Sequence, residues 1–344
     1  MAAVTLSPVI APLGGSGWTR QLRRARLHFV TGKGGTGKTT MAASLALALA
    51  SGGRRVLLVE VEGRQGIAQL FDTEPMPYGE RHLVSAPDGG ELCALHIDAE
   101  AALLEYFEMF YNLGFAGRTL RRMGAIEFAT TLAPGLRDVL LTGKIKECVS
   151  RREPDGRHSY DHVVVDAPPT GRVVKFLDVT RALSDITKSG PIRGQAEGVA
   201  QLLRSPETAV HLVTLLEEMP IRETLEAIEE LTEAKLRPGA VLINRVRLPR
   251  LPTRSIAAAA DGRVNASRIR SGLEAAGLDL SAEVLDGLVA ETVEHAIRIA
   301  AERSAMDQLG EVDQPSIEIP DVTEGVDVAA LYEIADLLVE KGVR

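Results

Sequence analysis

Cysteine is scarce in this chain. Among 344 residues there are two, Cys93 and Cys148, and they lie far apart in the sequence. Two scattered thiols exclude a disulfide framework, and no pair at CxxC spacing indicates a metal site. Because unpaired cysteines are typical of a reducing compartment, we expect a cytoplasmic protein.

Long apolar runs and an excess of positive charge are also missing. No stretch approaches the roughly 18 apolar residues of a membrane span. The 39 Lys and Arg residues are outnumbered by 47 Asp and Glu, which gives a net charge of −8. An acidic chain is not attracted to nucleic acid, so we expect no nucleic-acid partner. Residues 1–26 lack a signal-peptide pattern and are expected to form a flexible tail.

Aromatic residues make up only 4% of the sequence, and they are unevenly placed. Nearly half of them fall in one predicted helical segment: Tyr106, Phe107, Phe110, Tyr111, Phe115 and Phe128. Such a cluster indicates either the core of a helical subdomain or a dimer contact on the one hand, or a surface for a client or ligand on the other. The sequence leaves both interpretations open.

The most informative segment is a phosphate-loop pattern at Gly32–Thr39, which follows a short apolar run and precedes a helix-forming run. Glycines let several backbone N–H groups point into one cavity, and the helix N-terminus adds its positive dipole end. Lys38 is expected to contact the β- and γ-phosphates, and the Thr39 hydroxyl to bind Mg²⁺. The remaining predicted contacts to ATP or ADP in this loop are Gly34, Gly35, Thr36, Gly37 and Thr40.

A second nucleotide element is Asp166, which ends the apolar run Val163–Val165. A carboxylate at this position is expected to hold Mg²⁺ through water, because Mg²⁺ keeps much of its hydration shell. The alternative is an aspartate that only caps the following turn. The phosphate loop upstream favours the metal role.

Strands alternate with helices along the chain, which predicts an α/β fold with a doubly wound, mainly parallel sheet. We predict one P-loop ATPase domain over residues 27–341. A helical subdomain is expected as an insertion at about 99–135 and 180–208. It should lie over the carboxyl ends of the strands, where such sheets bind ligands.

These motifs together resemble the signature-lysine ATPases with a deviant Walker A loop. Within them, the segment Val164–Gly171 resembles the second switch of one branch, which contains the arsenite-pump ATPase and the ATPase that targets tail-anchored membrane proteins. The resemblance extends over 27–341 and includes three further segments: Leu92–Asp98, Pro134–Asp138 and Val241–Arg245. The chain is most similar to actinobacterial "anion-transporting ATPase" proteins, which often occur as two paralogues.

The resemblance implies a role for several further residues. Lys33 would reach the nucleotide of a second subunit and stabilise charge on its γ-phosphate. Asn244, with its neighbour Arg245, would hydrogen-bond adenine, and a loop would line the other side of the base. This loop includes Pro320, Asp321 and Val322. Thr170 and Gly171 would sense the γ-phosphate.

The sequence departs from the family pattern in its first switch, where Glu62-Gly63-Arg64-Gln65-Gly66 replaces Asp-Pro-Ala-His-Asn. Glu62 keeps the carboxylate that orients the attacking water but is one methylene longer, so we expect slow turnover. The zinc-binding CxxC motif is absent, and no zinc is expected. A cluster of cysteines that could bind arsenite is absent too, and the two isolated cysteines, Cys93 and Cys148, are interpreted as inert thiols.

The leading hypothesis is therefore a dimeric, Mg²⁺-dependent ATPase whose nucleotide state controls a helical platform for a protein or membrane-protein client. The dimer could be a homodimer or a heterodimer with a paralogous ATPase. The alternative is a regulatory or structural half of such a heterodimer, with weak hydrolysis of its own. A partition or septum-positioning ATPase is disfavoured, because the closing helix Val328–Glu340 has an acidic polar face.

Overall fold

The computed structural model describes residues 18–99, 101–102, 105, 135–179, 191–322 and 325–344. In these residues, one eight-stranded sheet has the order β3-β4-β2-β5-β1-β6-β7-β8. The strands are β1 (Leu27–Gly32), β2 (Arg55–Glu60), β3 (Arg81–Ala86), β4 (Gly90–His96), β5 (His162–Asp166), β6 (Thr208–Thr214), β7 (Pro238–Val246) and β8 (Ser316–Pro320). All neighbouring strands are parallel except β3 and β4, which are antiparallel.

The helices of the described residues lie on both faces of this sheet. They are α1 (Lys38–Ala50), α2 (Gly66–Leu70), α3 (Leu136–Ser150), α4 (Thr170–Leu177), α5 (Pro191–Leu203), α6 (Glu218–Glu233), α7 (Thr253–Ala260), α8 (Ala266–Ala275), α9 (Ala282–Leu309) and α10 (Val328–Glu340). No helix in these parts of the chain is both long and apolar enough to cross a membrane.

Two apolar cores explain why the central strands read as continuous hydrophobic runs. One core joins a face of the sheet to α1 and α10, and the other joins the opposite face to α3, α4, α5 and α6. Every residue of β1, β5 and β6 is buried. A parallel sheet covered on both faces needs apolar residues on both sides of each strand. The structure thus confirms the predicted doubly wound, mainly parallel α/β sheet.

Two elements differ from the sequence-based expectation. The antiparallel edge strand β3 was not predicted, because its half-exposed sequence Arg-His-Leu-Val-Ser-Ala lacks an apolar run. The start of α4 at Thr170, with Pro169 in extended conformation at its N-cap, was not predicted either. Proline suits the start of a helix, where its missing N–H costs nothing.

The expected flexible tail, residues 1–26, lies only partly within the described chain. Its last part is packed against the fold: Trp18, Leu22 and Ala25 are buried in the core that contains α1 and α10. The backbone N–H of Trp18 also donates a hydrogen bond of 2.9 Å to the carbonyl of Lys341. The structured region therefore begins before Leu27.

Three buried histidines join the central strands: His28 on β1, His162 on β5 and His211 on β6. The amide N–H of Ala240 donates to His211 Nδ1 at 3.0 Å, so the proton of His211 is on Nε2 and is donated to His28 Nδ1 at 3.1 Å. His28 Nε2 in turn lies 3.1 Å from the carbonyl of Ala25 and 3.3 Å from His162 Nδ1. The rings thus form one hydrogen-bonded chain of neutral imidazoles.

The predicted helical insertion at 99–135 and 180–208 lies mostly outside the described residues, as do the six clustered aromatic residues. From this insertion, α5 is described, and it packs on the sheet through Ala196, Val199 and Leu203. Of the two cysteines, Cys93 lies on the strand β4 and Cys148 on the helix α3. Burial raises the pKa of the Cys148 thiol to about 12, which makes this thiol unreactive at neutral pH.

Candidate nucleotide site

The phosphate loop connects β1 to α1 and depends on glycine at two positions. A Cβ atom at Gly32 would collide with the backbone carbonyl of Val213 on the neighbouring strand β6. Gly37, the N-cap of α1, has a φ of +91°, and a Cβ there would collide with Asn244 Nδ2. Both positions require glycine because neither has space for a Cβ atom. At Gly37, glycine is also the residue that adopts a φ of +91° without strain.

The other loop residues lie around the same turn. Gly34 and Gly35 are exposed and have open space about them. Thr36 is buried, and its hydroxyl donates to the carbonyl of Lys33 at 2.9 Å. Thr40 lies half-buried in the first turn of α1. The N-terminal end of α1 therefore faces an open glycine-rich turn, an arrangement that suits a phosphate group.

Lys38, Thr39 and Asp166 come together where β1 and β5 end side by side. The Thr39 hydroxyl donates to Asp166 Oδ2 at 2.7 Å, and Lys38 Nζ lies 3.3 Å from the carbonyl of Lys33. Burial raises the pKa of Asp166 to about 6, although the Thr39 hydrogen bond and the Lys38 charge act to lower it. Burial lowers the pKa of Lys38.

The second oxygen of the Asp166 carboxylate, Oδ1, is buried and has no hydrogen-bond partner among the described residues. A buried carboxylate oxygen beside a threonine hydroxyl is an oxygen donor set of the kind that Mg²⁺ prefers. The residues present therefore fit a hydrated divalent cation.

Glu60 is a member of this site that the sequence analysis missed. It is the last residue of β2, is only 2% exposed, and pairs in register with Asp166 on β5 and His96 on β4. Its Oε1 accepts the backbone N–H of Gly66 at 2.8 Å, which fixes the segment Glu62–Gly66 beside Thr39. The only hint in the sequence was a carboxylate at the end of an apolar strand.

Glu62 lies just beyond β2 and faces a polar cavity of about 160 Å³. Its carboxylate is 3.7 Å from Arg172 and 3.9 Å from Arg64, distances of ion pairs rather than hydrogen bonds. Arg137 and Asp138 line the same cavity, and burial raises the pKa of Asp138. The expected water-orienting carboxylate thus has two guanidinium groups at ion-pair distance, and a third, that of Arg137, lines the same cavity.

Lys33 makes an ion pair that the sequence did not predict. Its Nζ lies 2.7 Å from Oε1 of Glu223 on α6, and Oε2 of Glu223 accepts a hydrogen bond of 3.4 Å from the Thr170 hydroxyl. Gly171 follows Thr170 in the first turn of α4 and is exposed. One carboxylate thus contacts both the loop lysine and the start of α4.

The residues expected to bind adenine lie at the ends of the neighbouring strands β7 and β8. Asn244 Nδ2 donates to the carbonyl of Thr36 at 2.9 Å, and Asn244 Oδ1 accepts the N–H of Arg245, which has a φ of +56°. The backbone N–H of Asp321 donates to the carbonyl of Val246 at 3.1 Å. Pro320 and Asp321 border a cleft of about 760 Å³ that extends from these strand ends to α9, and Val322 packs against the core of α1 and α10.

A parallel sheet with a phosphate loop after its central strand β1 defines an α/β P-loop nucleotide-binding protein. The chain belongs to the family described as "Anion-transporting ATPase", whose sequence profile matches residues 25–203. This finding confirms the resemblance and makes the protein an ATPase that binds and hydrolyses ATP.

Individual relatives agree with this assignment. The chain is 57% identical to ATPase BagA of Mycobacterium tuberculosis over 333 residues, which cover 96% of this chain and 98% of that protein. It is 28% identical to the arsenical pump-driving ATPase of Acidiphilium multivorum over 242 residues, 63% of this chain and 39% of the relative. It is 25% identical to ATPase GET3 of Lachancea thermotolerans over 255 residues, 63% and 71% of the two chains.

Proposed function

We infer that this ATPase depends on Mg²⁺ and works as a dimer in the cytoplasm. Its nucleotide state would open or close a helical platform that binds a protein or membrane-protein client. The observation that carries the proposal is the meeting, at one edge of the sheet, of the phosphate loop, the Thr39–Asp166 pair and the carboxylate of Glu62.

Nucleotide binding would use the loop backbone and Lys38. N–H groups of residues 34–40 bind the phosphate oxygens, and the Lys38 ammonium offsets charge on the β- and γ-phosphates. Thr39 and Asp166 would hold Mg²⁺, which adds positive charge next to the same phosphates. Asn244, Arg245 and the loop Pro320–Val322 would enclose the adenine. The hydrogen bond from Asn244 to the Thr36 carbonyl also ties the phosphate loop to β7.

For hydrolysis, Glu62 would orient a water molecule toward the γ-phosphorus, and the products are ADP and inorganic phosphate. Glu60 supports this step by holding Gly66 and thereby the segment that carries Glu62. Because Arg64 and Arg172 compete for the Glu62 carboxylate, we expect slow turnover of the isolated chain.

Lys33 would act on the nucleotide of a second subunit, where its ammonium stabilises charge that develops on the γ-phosphate in the transition state. This role requires a homodimer or a heterodimer with a paralogue. The platform would be the insertion at 99–135 and 180–208. The described helix of this insertion, α5, packs on the sheet through Ala196, Val199 and Leu203.

A second candidate function is a regulatory half of a heterodimer with weak hydrolysis of its own. The observation that favours it is the position of Glu62 between Arg64 and Arg172. Single-turnover rates for the isolated chain and for its complex with a co-purified paralogue discriminate the two. Rapid turnover by the isolated chain argues against the regulatory function.

The test of the main proposal is ATP turnover by wild type, Lys38→Ala and Lys33→Ala. Lys38→Ala should lose both nucleotide binding and turnover. Lys33→Ala should bind ATP nearly as well as wild type but should not hydrolyse it, because its contribution is made in the transition state. Turnover that survives Lys38→Ala would remove the assigned site, and normal hydrolysis by Lys33→Ala would remove the trans-acting lysine.

A further inference from the structure

Lys33 is held within its own subunit. The 2.7 Å separation between its Nζ and Glu223 Oε1 is that of a charge-assisted hydrogen bond, and the two side chains are 34% and 29% exposed. Solvent therefore reaches the pair, and the lysine can leave it without a change in the core.

Glu223 is placed by a packed helix rather than by a loop. It lies in α6 next to Thr224 and two positions after Ile221, both of which are buried against the rest of the domain. Its second oxygen faces the hydroxyl of Thr170, which is itself only 5% exposed and begins α4. The carboxylate therefore has a fixed position between the phosphate loop and the segment that starts four residues after Asp166.

We propose that Glu223 is the positioning residue that keeps Lys33 in place in the resting subunit and releases it to the nucleotide of the second subunit. This inference rests on the proposed function, because a lysine that acts on the partner's nucleotide must first leave its own carboxylate. The Lys33 ammonium cannot neutralise the Glu223 carboxylate and the second subunit's triphosphate at the same time. The triphosphate carries more negative charge than the single carboxylate and therefore attracts the ammonium more strongly.

The expected strength of this restraint is modest. Partly exposed ion pairs change an equilibrium by about two- to fivefold. A restraint of this size keeps Lys33 in place in the resting chain but is overcome readily by a bound polyphosphate. Removing it should favour the assembled state without altering the chemistry of the assembled site.

The chain offers a matched control one turn further along the same helix. Glu226 pairs with Arg222 at 3.8 Å, and both side chains are more than half exposed. Glu226→Gln removes the same charge from α6 as Glu223→Gln, but it leaves the contact to Lys33 intact.

The first experiment reads the contact directly in the nucleotide-free full-length protein. Acetylation of Lys33 by acetic anhydride is followed by peptide mass spectrometry in wild type, Glu223→Gln and Glu226→Gln. An ammonium bonded to a carboxylate is shielded from the reagent, so Lys33 should react about two- to fivefold faster in Glu223→Gln and unchanged in Glu226→Gln. Equal rates in wild type and Glu223→Gln would overturn the proposal.

The second experiment measures ATP turnover against protein concentration. Glu223→Gln should reach half of its maximal specific activity at an about two- to fivefold lower protein concentration, with the same plateau, while Glu226→Gln follows wild type. A lower plateau would show that Glu223 serves in the assembled site, and the proposal would then be wrong. If specific activity stays constant down to concentrations at which native mass shows a monomer, the dimeric function is wrong, while the acetylation rates still decide whether Glu223 holds Lys33.

Discussion

Asp166 destabilises the nucleotide-free protein by its position at the buried end of β5. Its pKa of about 6 in the folded chain lies above the ordinary aspartate value of about 3.8. A carboxyl group with a raised pKa favours folding when protonated, and this contribution is lost as the pH rises through about 6. At pH 7.5 the ionised group therefore costs up to about 3 kcal/mol.

Asp166→Asn should accordingly raise the free energy of unfolding at pH 7.5 by up to about 3 kcal/mol, because it removes a buried charge. The difference from wild type should shrink toward zero as the pH falls from 6 to about 4. Urea denaturation of the nucleotide-free protein measures both. The exposed Asp336→Asn serves as control and should change stability by less than about 0.5 kcal/mol. A less stable Asp166→Asn at pH 7.5 would contradict this account, since the site would then need the charge even without a cation.

At the level of single residues, the sequence predicted those whose position follows from local patterns. Lys38, Thr39 and Asp166 could be found because a glycine turn or a strand end fixes each of them next to the loop. Glu60 and Glu223 could not. Glu60 acts through a contact with Gly66, and Glu223 lies 190 positions from Lys33 in the chain, so neither relation is visible before the elements are packed.

Among the elements, the strands β1, β5 and β6 share a feature with a measurable consequence, the chain of His28, His162 and His211. Burial lowers the pKa of all three, to about 4 for His162 and about 3 for His211. Between pH 6.5 and about 4 the unfolded chain binds protons at these rings while the folded chain does not. As the pH decreases through this range, the free energy of unfolding should therefore decrease by up to about 1.4 kcal/mol per pH unit for each histidine.

His162→Asn tests this, because its amide oxygen can replace Nδ1 as the acceptor from His28 while the titrating ring is removed. The slope of the free energy of unfolding against pH, measured between pH 5 and 6.5, should decrease by up to about 1.4 kcal/mol per pH unit. Asp166 changes stability in the opposite direction over part of this range, but it does so equally in both proteins. An unchanged slope would show that His162 titrates normally in the folded chain.

Elements that are buried on both faces were the easiest to predict from sequence. The apolar run of β5 reappears in the structure with nearly the expected bounds, and the closing helix α10 has the expected bounds as well. The edge strand β3 was missed because only pairing with β4 makes it a strand, and the start of α4 was missed because two prolines masked a helix N-terminus.

For the whole molecule, the trans role of Lys33 predicts complementation between two inactive variants. In a mixed dimer of Lys33→Ala and Lys38→Ala, one of the two sites is complete. It has Lys38 from the Lys33→Ala subunit and Lys33 from the Lys38→Ala subunit. If subunits exchange freely in a symmetric dimer, an equal mixture should regain about a quarter of wild-type ATP turnover.

Mixing Lys33→Ala with the double variant Lys33→Ala/Lys38→Ala gives the control. This mixture should stay inactive because neither subunit supplies Lys33. If the first mixture also stays inactive, the chain does not form the homodimer with shared sites, and a heterodimer with a paralogue becomes the better description.

The single tryptophan of the chain gives the protein an intrinsic optical reporter. Trp18 stacks on His211 with ring centroids 5.0 Å apart, and its backbone is bonded to Lys341 just after α10. Its fluorescence therefore originates from one place, where the beginning and the end of the described chain close over the imidazoles. A red shift of its emission on unfolding would signal that these two chain ends have separated, without any label being attached.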